Sequence, residues 1–148
     1  MAEDLTAPLV LEYPYTRTVG EVMGRFFTSL RDGRIEGIRS RDGRVLVPPP
    51  EYDPVTSEPL HEFVEVGPGG EVLSWTWTSQ PLDGAPLDRP FSWALIRLDG
   101  ADVAMVHAVD PGPGGEGAMR TGMRVQARWR AETEGSIRDI ECFVVEGT

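Results

Sequence analysis

No lysine occurs among the 148 residues, only one cysteine (Cys142), and only two histidines, His61 and His107. Each scarcity closes a chemistry. Without lysine no Schiff base forms on a side chain and no P-loop lysine exists. A single cysteine rules out an internal disulfide. Cys142 stands in the apolar run IECFVV, where a buried, inert thiol is the ordinary outcome. Two histidines and a cysteine, scattered, are a poor donor set for a metal. No apolar run nears the roughly 20 residues of a membrane helix, and the opening MAEDLTAPLV is acidic, without the basic-then-apolar layout of a secretory signal. The expectation is one soluble, cytoplasmic domain that buries its own core.

The basic residues are all arginine, 14 of them against 24 acidic residues, for a net charge of −10. That balance speaks against a binder of phosphate backbones, which needs a basic surface. No G-x-S-x-G elbow or H-E-x-x-H pair is present. The stretch GPGGEG at 112–117 matches the letters of a dinucleotide-binding loop, but Pro111 and Pro113 interrupt it and strand-like sequence follows. A loop of that kind must open a helix after a parallel strand, so a mobile hairpin loop is the reading.

One helix is strongly signalled. Thr18 and Glu21 form the pattern of a capping box. Val19, Val22, Met23, Phe26, Phe27 and Leu30 then make a continuous apolar stripe, and Gly33 is placed to end the helix. Such a stripe covers the domain's own core or meets a partner. Ahead of it, LEYPYTRT reads as an extended arm with exposed aromatics at Tyr13 and Tyr15. Beyond it come β-branched and aromatic runs at 44–47, 61–66, 71–78, 91–98, 102–109, 124–131 and 140–145, separated by turns. Their spacing predicts a mainly β fold, a small barrel or sandwich.

The alternation in these runs assigns faces. Val125, Ala127, Trp129 and Ala131 point inward; Gln126, Arg128 and Arg130 point outward. Leu73, Trp75 and Trp77 share one face, while residues 91–98 are apolar on both, which predicts cover on both sides. His107 shares its face with Val103, Met105 and Val109, the setting of a core or pocket histidine more than of a general base. The acidic segment 132–141 reads as a solvated turn and strand edge.

Between the helix and the strands lies RSRDGRVLVPPPEYDPVT, residues 39–56. Two tight turns flank an apolar strand and three prolines, the layout of a small zinc site, yet no cysteine is present. The pieces RFFTSLRDGRI, DGRVLVPPPEYDP, GEVLSWTWTSQP, FSWALIRLDG and RTGMRVQARW, in this order, resemble the zinc-ribbon/OB-fold proteins that accompany thiolase-type enzymes of acyl-CoA metabolism. The resemblance spans about residues 20–145. It implies an N-terminal arm and helix (1–33), a degenerate, metal-free rubredoxin-like hairpin (34–60) and an OB-fold barrel (61–148) packed as one unit.

The family's four zinc-ligand positions fall on Arg39, Asp42, Asp53 and Thr56. None is cysteine, and arginine cannot ligate zinc, so no metal is expected. An ion pair of Arg39 with Asp42 or Asp53, together with proline stiffening, is the expected substitute. The resemblance further implies a non-catalytic subunit of a thiolase-like or lipid-transfer-type aldolase, in a two-plus-two assembly, with acyl-CoA at the shared interface. Tyr13, Tyr15, Met23, Phe26, Phe27, Leu30, Pro48, Pro49 and Pro50 are the candidate partner-binding residues. Trp75, Trp77 and Trp93 are candidates for core or pocket wall, and Arg97 and Arg128 for a CoA phosphate. A single-strand-binding OB protein and a small acyl-CoA enzyme using His107 are the alternatives.

Overall fold

The computed structural model describes residues 6–147; residues 1–5 of the expected arm lie outside them. Helix α1 is Gly20–Arg31. The strands are β1 Ile35–Arg39, β2 Val45–Leu46, β3 Phe63–Val66, β4 Gly69–Thr78, β5 Phe91–Leu98, β6 Met105–Asp110, β7 Arg124–Trp129 and β8 Ile140–Val145. Two sheets result. A three-stranded antiparallel sheet has the order β2-β1-β3, and a closed barrel runs β4-β5-β6-β8-β7. β4 closes on β7, and the one parallel contact in the barrel is β6 against β8. This is an OB fold preceded by a helix and a small sheet. β3, just ahead of the first barrel strand, pairs with β1 along its whole length.

The helix ends where the sequence says it should. Gly33, at φ 72°, donates to the Leu30 carbonyl, and Arg34 donates to that of Ser29, both at 2.9 Å. That paired closure requires a left-handed residue, which glycine adopts without strain. The start differs: Val19 is the N-cap and no side chain caps it, so the Thr18–Glu21 box does not form.

The stripe of α1 faces inward. Phe26 and Leu30 are 1% and 0% exposed and pack in one cluster with Ile35, Val72, Ile96, Val125 and Phe143. Helix, small sheet and barrel therefore share a single core. Burial of each such side chain contributes about 1.5–3 kcal/mol. A polar clasp reinforces the junction. Arg25 holds the buried Glu36 on β1 through two hydrogen bonds of 3.1 and 2.8 Å, and Ser29 donates to the same carboxylate. The Arg25 guanidinium also lies 4.0 Å over the Phe63 ring. With Arg25 and then Ser29 donating to it, the Glu36 carboxyl titrates below its ordinary range.

A bulge re-aims the first barrel strand. The register steps from Val72↔Ile96 to Ser74↔Leu95, leaving Leu73 unpaired and exposed. Val72 and Trp75 then share the inner face although three positions apart, so Leu73 does not join Trp75 and Trp77 as simple alternation suggests. On β5, Ser92, Ala94, Ile96 and Leu98 are buried and Trp93, Leu95 and Arg97 point outward. Ala131, expected inside, lies beyond β7 and is exposed. The acidic segment is not a loose turn. Buried Asp139 accepts from the backbone N–H groups of Glu134, Gly135 and Ser136, and Thr133 hydrogen-bonds the Arg31 carbonyl at the end of α1.

Candidate functional site

The two turns of residues 39–56 are joined, by a carboxylate. Asp53 is 3% exposed. Its Oδ2 accepts the Arg41 backbone N–H from the first turn at 2.8 Å, and its Oδ1 accepts those of Val55 and Thr56 from the second at 2.8 and 2.9 Å. Asp42 organises the first turn, taking the Ser40 hydroxyl, the Arg44 backbone N–H and the Arg44 guanidinium. Both carboxyls are held below the usual range. For Asp53 the chief cause is the Arg41 N–H, followed by those of Thr56 and Val55; for Asp42 it is the Ser40 hydroxyl.

The expected Arg39 pairing is not what forms. Arg39 reaches Glu62, just ahead of β3, at 2.7 Å and the Gly43 carbonyl at 3.0 Å. Among the described residues no group of three or more His, Cys, Asp or Glu is placed to hold a metal. The four positions do not fit zinc: one carries a fixed cation, and the donor atoms of Asp53 are committed to N–H groups.

The partner-binding candidates divide. Phe26 and Leu30 are interior, which corrects their assignment to a surface; Phe27 and Met23 are half-buried against the same core. Met23, Pro49 and Pro50 line one groove with Arg17 and Tyr52. Pro48, after a cis peptide from Val47, is exposed. Tyr13 and Tyr15 stand out in solvent on the arm, with Leu9, Val10 and Leu11.

The ligand candidates divide too. Trp75 and Trp77 pack on the core. Trp93 is on the outer face, edge-on to Phe91 with ring centroids 5.2 Å apart. It stands 37% exposed near Leu95 at 41% and Val106 at 58%, and Leu95 and Val106 are cross-strand partners. The cover expected on both sides of β5 is thus present on one side here. Arg97 is paired with Glu71 at 2.9 Å, and Arg128 with Glu141 at 2.5 Å and Asp110 at 3.4 Å. Neither guanidinium is free for a phosphate.

His107 lies beneath this face, buried, with its ring edge-on to Phe143 at 5.4 Å. Its neighbours are the backbone carbonyls of Ala108 and Ile137, and burial lowers its pKa. Among the described residues no carboxylate orients it as a base, which is what the small-enzyme alternative requires. Cys142 is fully buried, and burial pushes its thiol up to about 11. A thiol reagent at pH 8 is therefore expected to leave the native chain unmodified and to label it stoichiometrically once unfolded in urea. Rapid labelling of the folded chain would show that the C-terminal strand opens.

Residues 63–130 match the family model of the ChsH2 C-terminal OB-fold domain. No curated protein matches by sequence. Among solved structures, the chain is similar to one described as "Ltp2-ChsH2(DUF35) aldolase", at 18% identity and TM-score 0.63, covering 88% of this chain and 98% of the other. It is also similar to a DUF35-family protein of unknown function from Sulfolobus solfataricus, at 20% identity and TM-score 0.63, covering 86% and 87% of the two chains. The barrel region by sequence and nearly the whole chain by shape agree on one conclusion: the chain carries an OB-fold domain similar to the C-terminal domain of ChsH2.

Proposed function

We propose that this chain is a non-catalytic accessory subunit of a thiolase-like or lipid-transfer-type aldolase acting on acyl-CoA thioesters, those of steroid side-chain breakdown among them. The observation that carries the reading is the open apolar face of the barrel. Trp93, Leu95 and Val106 stand together in solvent on a chain whose net charge is −10. Contiguous exposed apolar surface of this sort marks interaction sites. The exposed arm around Tyr13 and Tyr15 and the groove of Met23, Pro49 and Pro50 offer a second contact. No catalytic constellation accompanies them among the described residues, so the nucleophile and base belong to the partner. A cytoplasmic two-plus-two heteromer, with acyl-CoA held where the chains meet and no nucleic acid, completes the proposal. Among the described residues no helix is long and apolar enough to cross a membrane.

Affinity capture of the tagged chain from its native lysate tests it, with native mass of the eluted complex. A thiolase-like chain is expected in equal amount. Leu95→Asp with Val106→Asp is expected to reduce that capture at least about 100-fold while leaving the far-ultraviolet spectrum unchanged, since a desolvated interface tolerates unpaired charge poorly. Elution of the wild-type chain alone, or unchanged capture by the double variant, would remove the barrel face from the interface.

A further inference from the structure

A cleft of about 360 Å³ opens at one end of the outer face, between the 84–86 loop, β5, β6 and the segment from Arg130 to Glu141. Its volume falls at the small end of the range for small-molecule sites, about 300–1,000 Å³. Trp93, Val106 and Ile137 give it apolar walls, and His107 contributes a buried ring. Arg130 and Arg138 stand on the same lining.

Neither of these two arginines is neutralised by a carboxylate among the described residues. Among the described residues, ten arginines have a carboxylate within 4 Å: Arg25, Arg31, Arg34, Arg39, Arg41, Arg44, Arg89, Arg97, Arg124 and Arg128. Four others, Arg17, Arg120, Arg130 and Arg138, have none among the described residues, and of these Arg130 and Arg138 line the cleft. Three of the acidic groups around them are engaged elsewhere. Glu141, on the cleft, is held by Arg128. Asp139 is buried and takes three backbone N–H groups, with Arg130 acting on it only at longer range. Glu134 takes the Ser136 hydroxyl, while Glu132 lines a neighbouring depression that Arg130 and Arg138 also border, without reaching either within 4 Å.

A guanidinium fork suits a planar or tetrahedral anion, and the apolar walls beside it suit a hydrocarbon body. From this pairing we infer that the cleft binds a small amphipathic anion, with its carboxylate or phosphate on Arg130 and Arg138 and its apolar part against Trp93, Val106 and Ile137. The inference goes beyond the accessory-subunit reading and stands without it, because the isolated chain is enough to test it.

The experiment is calorimetric titration of the full chain with decanoate, decyl phosphate, decyltrimethylammonium and acetate. The two long-chain anions are expected to bind one per chain, whereas the cation lacks the charge match and acetate lacks the tail. Which of decanoate and decyl phosphate binds tighter identifies the head group. Arg130→Ala with Arg138→Ala is expected to weaken binding about tenfold, each exposed charge contact accounting for part of it. Both positions are exposed and salt-bridge-free, so the variant keeps its fold, which circular dichroism verifies. Val106→Asp, which sets a negative charge on the wall, is expected to abolish binding. Equal binding of the cation, unchanged affinity in the arginine variant, or no heat from either long-chain anion at millimolar concentration would each overturn the inference.

Discussion

Asp53→Ala is expected to lower the melting temperature by roughly 5–10 °C, a large effect for one aspartate in a turn. Three backbone N–H groups lose their acceptor at once, and they belong to two turns that are otherwise linked by the exposed Arg41 side chain, which reaches Glu58 and the Pro59 carbonyl. Asp53→Asn makes the test specific. An amide oxygen still accepts from Val55 and Thr56, but the amide nitrogen cannot accept from Arg41. The asparagine variant is therefore expected to fall between wild type and alanine. Identical melting of all three chains would show that the carboxylate does not fasten the turns.

The same group sets a pH dependence. Asp53 titrates below its unfolded value because the N–H groups favour its charged form. The stability it adds is complete above the ordinary aspartate range near 4 and is lost as pH falls through the lower native value. Asp42 and Glu36 act with the same sign. The wild-type melting temperature is thus expected to drop more steeply with acid than that of Asp53→Ala. A chelator is expected to change neither, because the ribbon positions do not supply a zinc set.

Leu30→Ala is the second large effect, a loss of about 2–5 kcal/mol in urea unfolding. Leu30 is fully buried at the meeting of helix, small sheet and barrel, so the alanine leaves a void that rigid neighbours on three sides do not fill. The expected signature is a lower midpoint with an unchanged slope. Partner capture at a temperature where the variant is folded should be undiminished. A wild-type midpoint combined with failed capture would return the stripe to the interface.

Much of the fold is visible in local sequence. β5 and β8 are dense in β-branched and aromatic residues and occupy 91–98 and 140–145, as their composition predicts. β1 is not visible, because IEGIR carries two charges and a glycine. Glu36 is tolerated there only through Arg25 and Ser29, from a helix eleven and seven residues back. Gly37 is needed because a Cβ would meet the Leu46 carbonyl at 2.8 Å. Neither reason is local. The parity of Leu73 failed at a bulge, a feature of pairing that one strand does not announce.

The candidate site was legible in kind but not in detail. Tryptophans and arginines were the right residue types to consider. Alternation alone did not separate Trp93, which points outward, from Trp75 and Trp77, which point inward. Nor does the position of an arginine in the sequence show whether a carboxylate is its neighbour; that is settled by strands brought together across the barrel, as Arg128 meets Glu141 thirteen residues on. The role of Asp53 is hidden for the same reason, since the Arg41 N–H that it accepts lies twelve residues away.

The Asp53 linkage also alters how such a ribbon responds to its surroundings. A cross-link made through a metal ion is a bimolecular event, and its occupancy follows the supply of free ion and the oxidation state of the thiols. A carboxylate bonded to amides of its own chain forms in a unimolecular step. Its occupancy is independent of ion concentration and of redox poise, and acidity is the external variable left to loosen it. The hairpin of this chain should therefore close equally well during synthesis in a zinc-starved or oxidatively stressed cell.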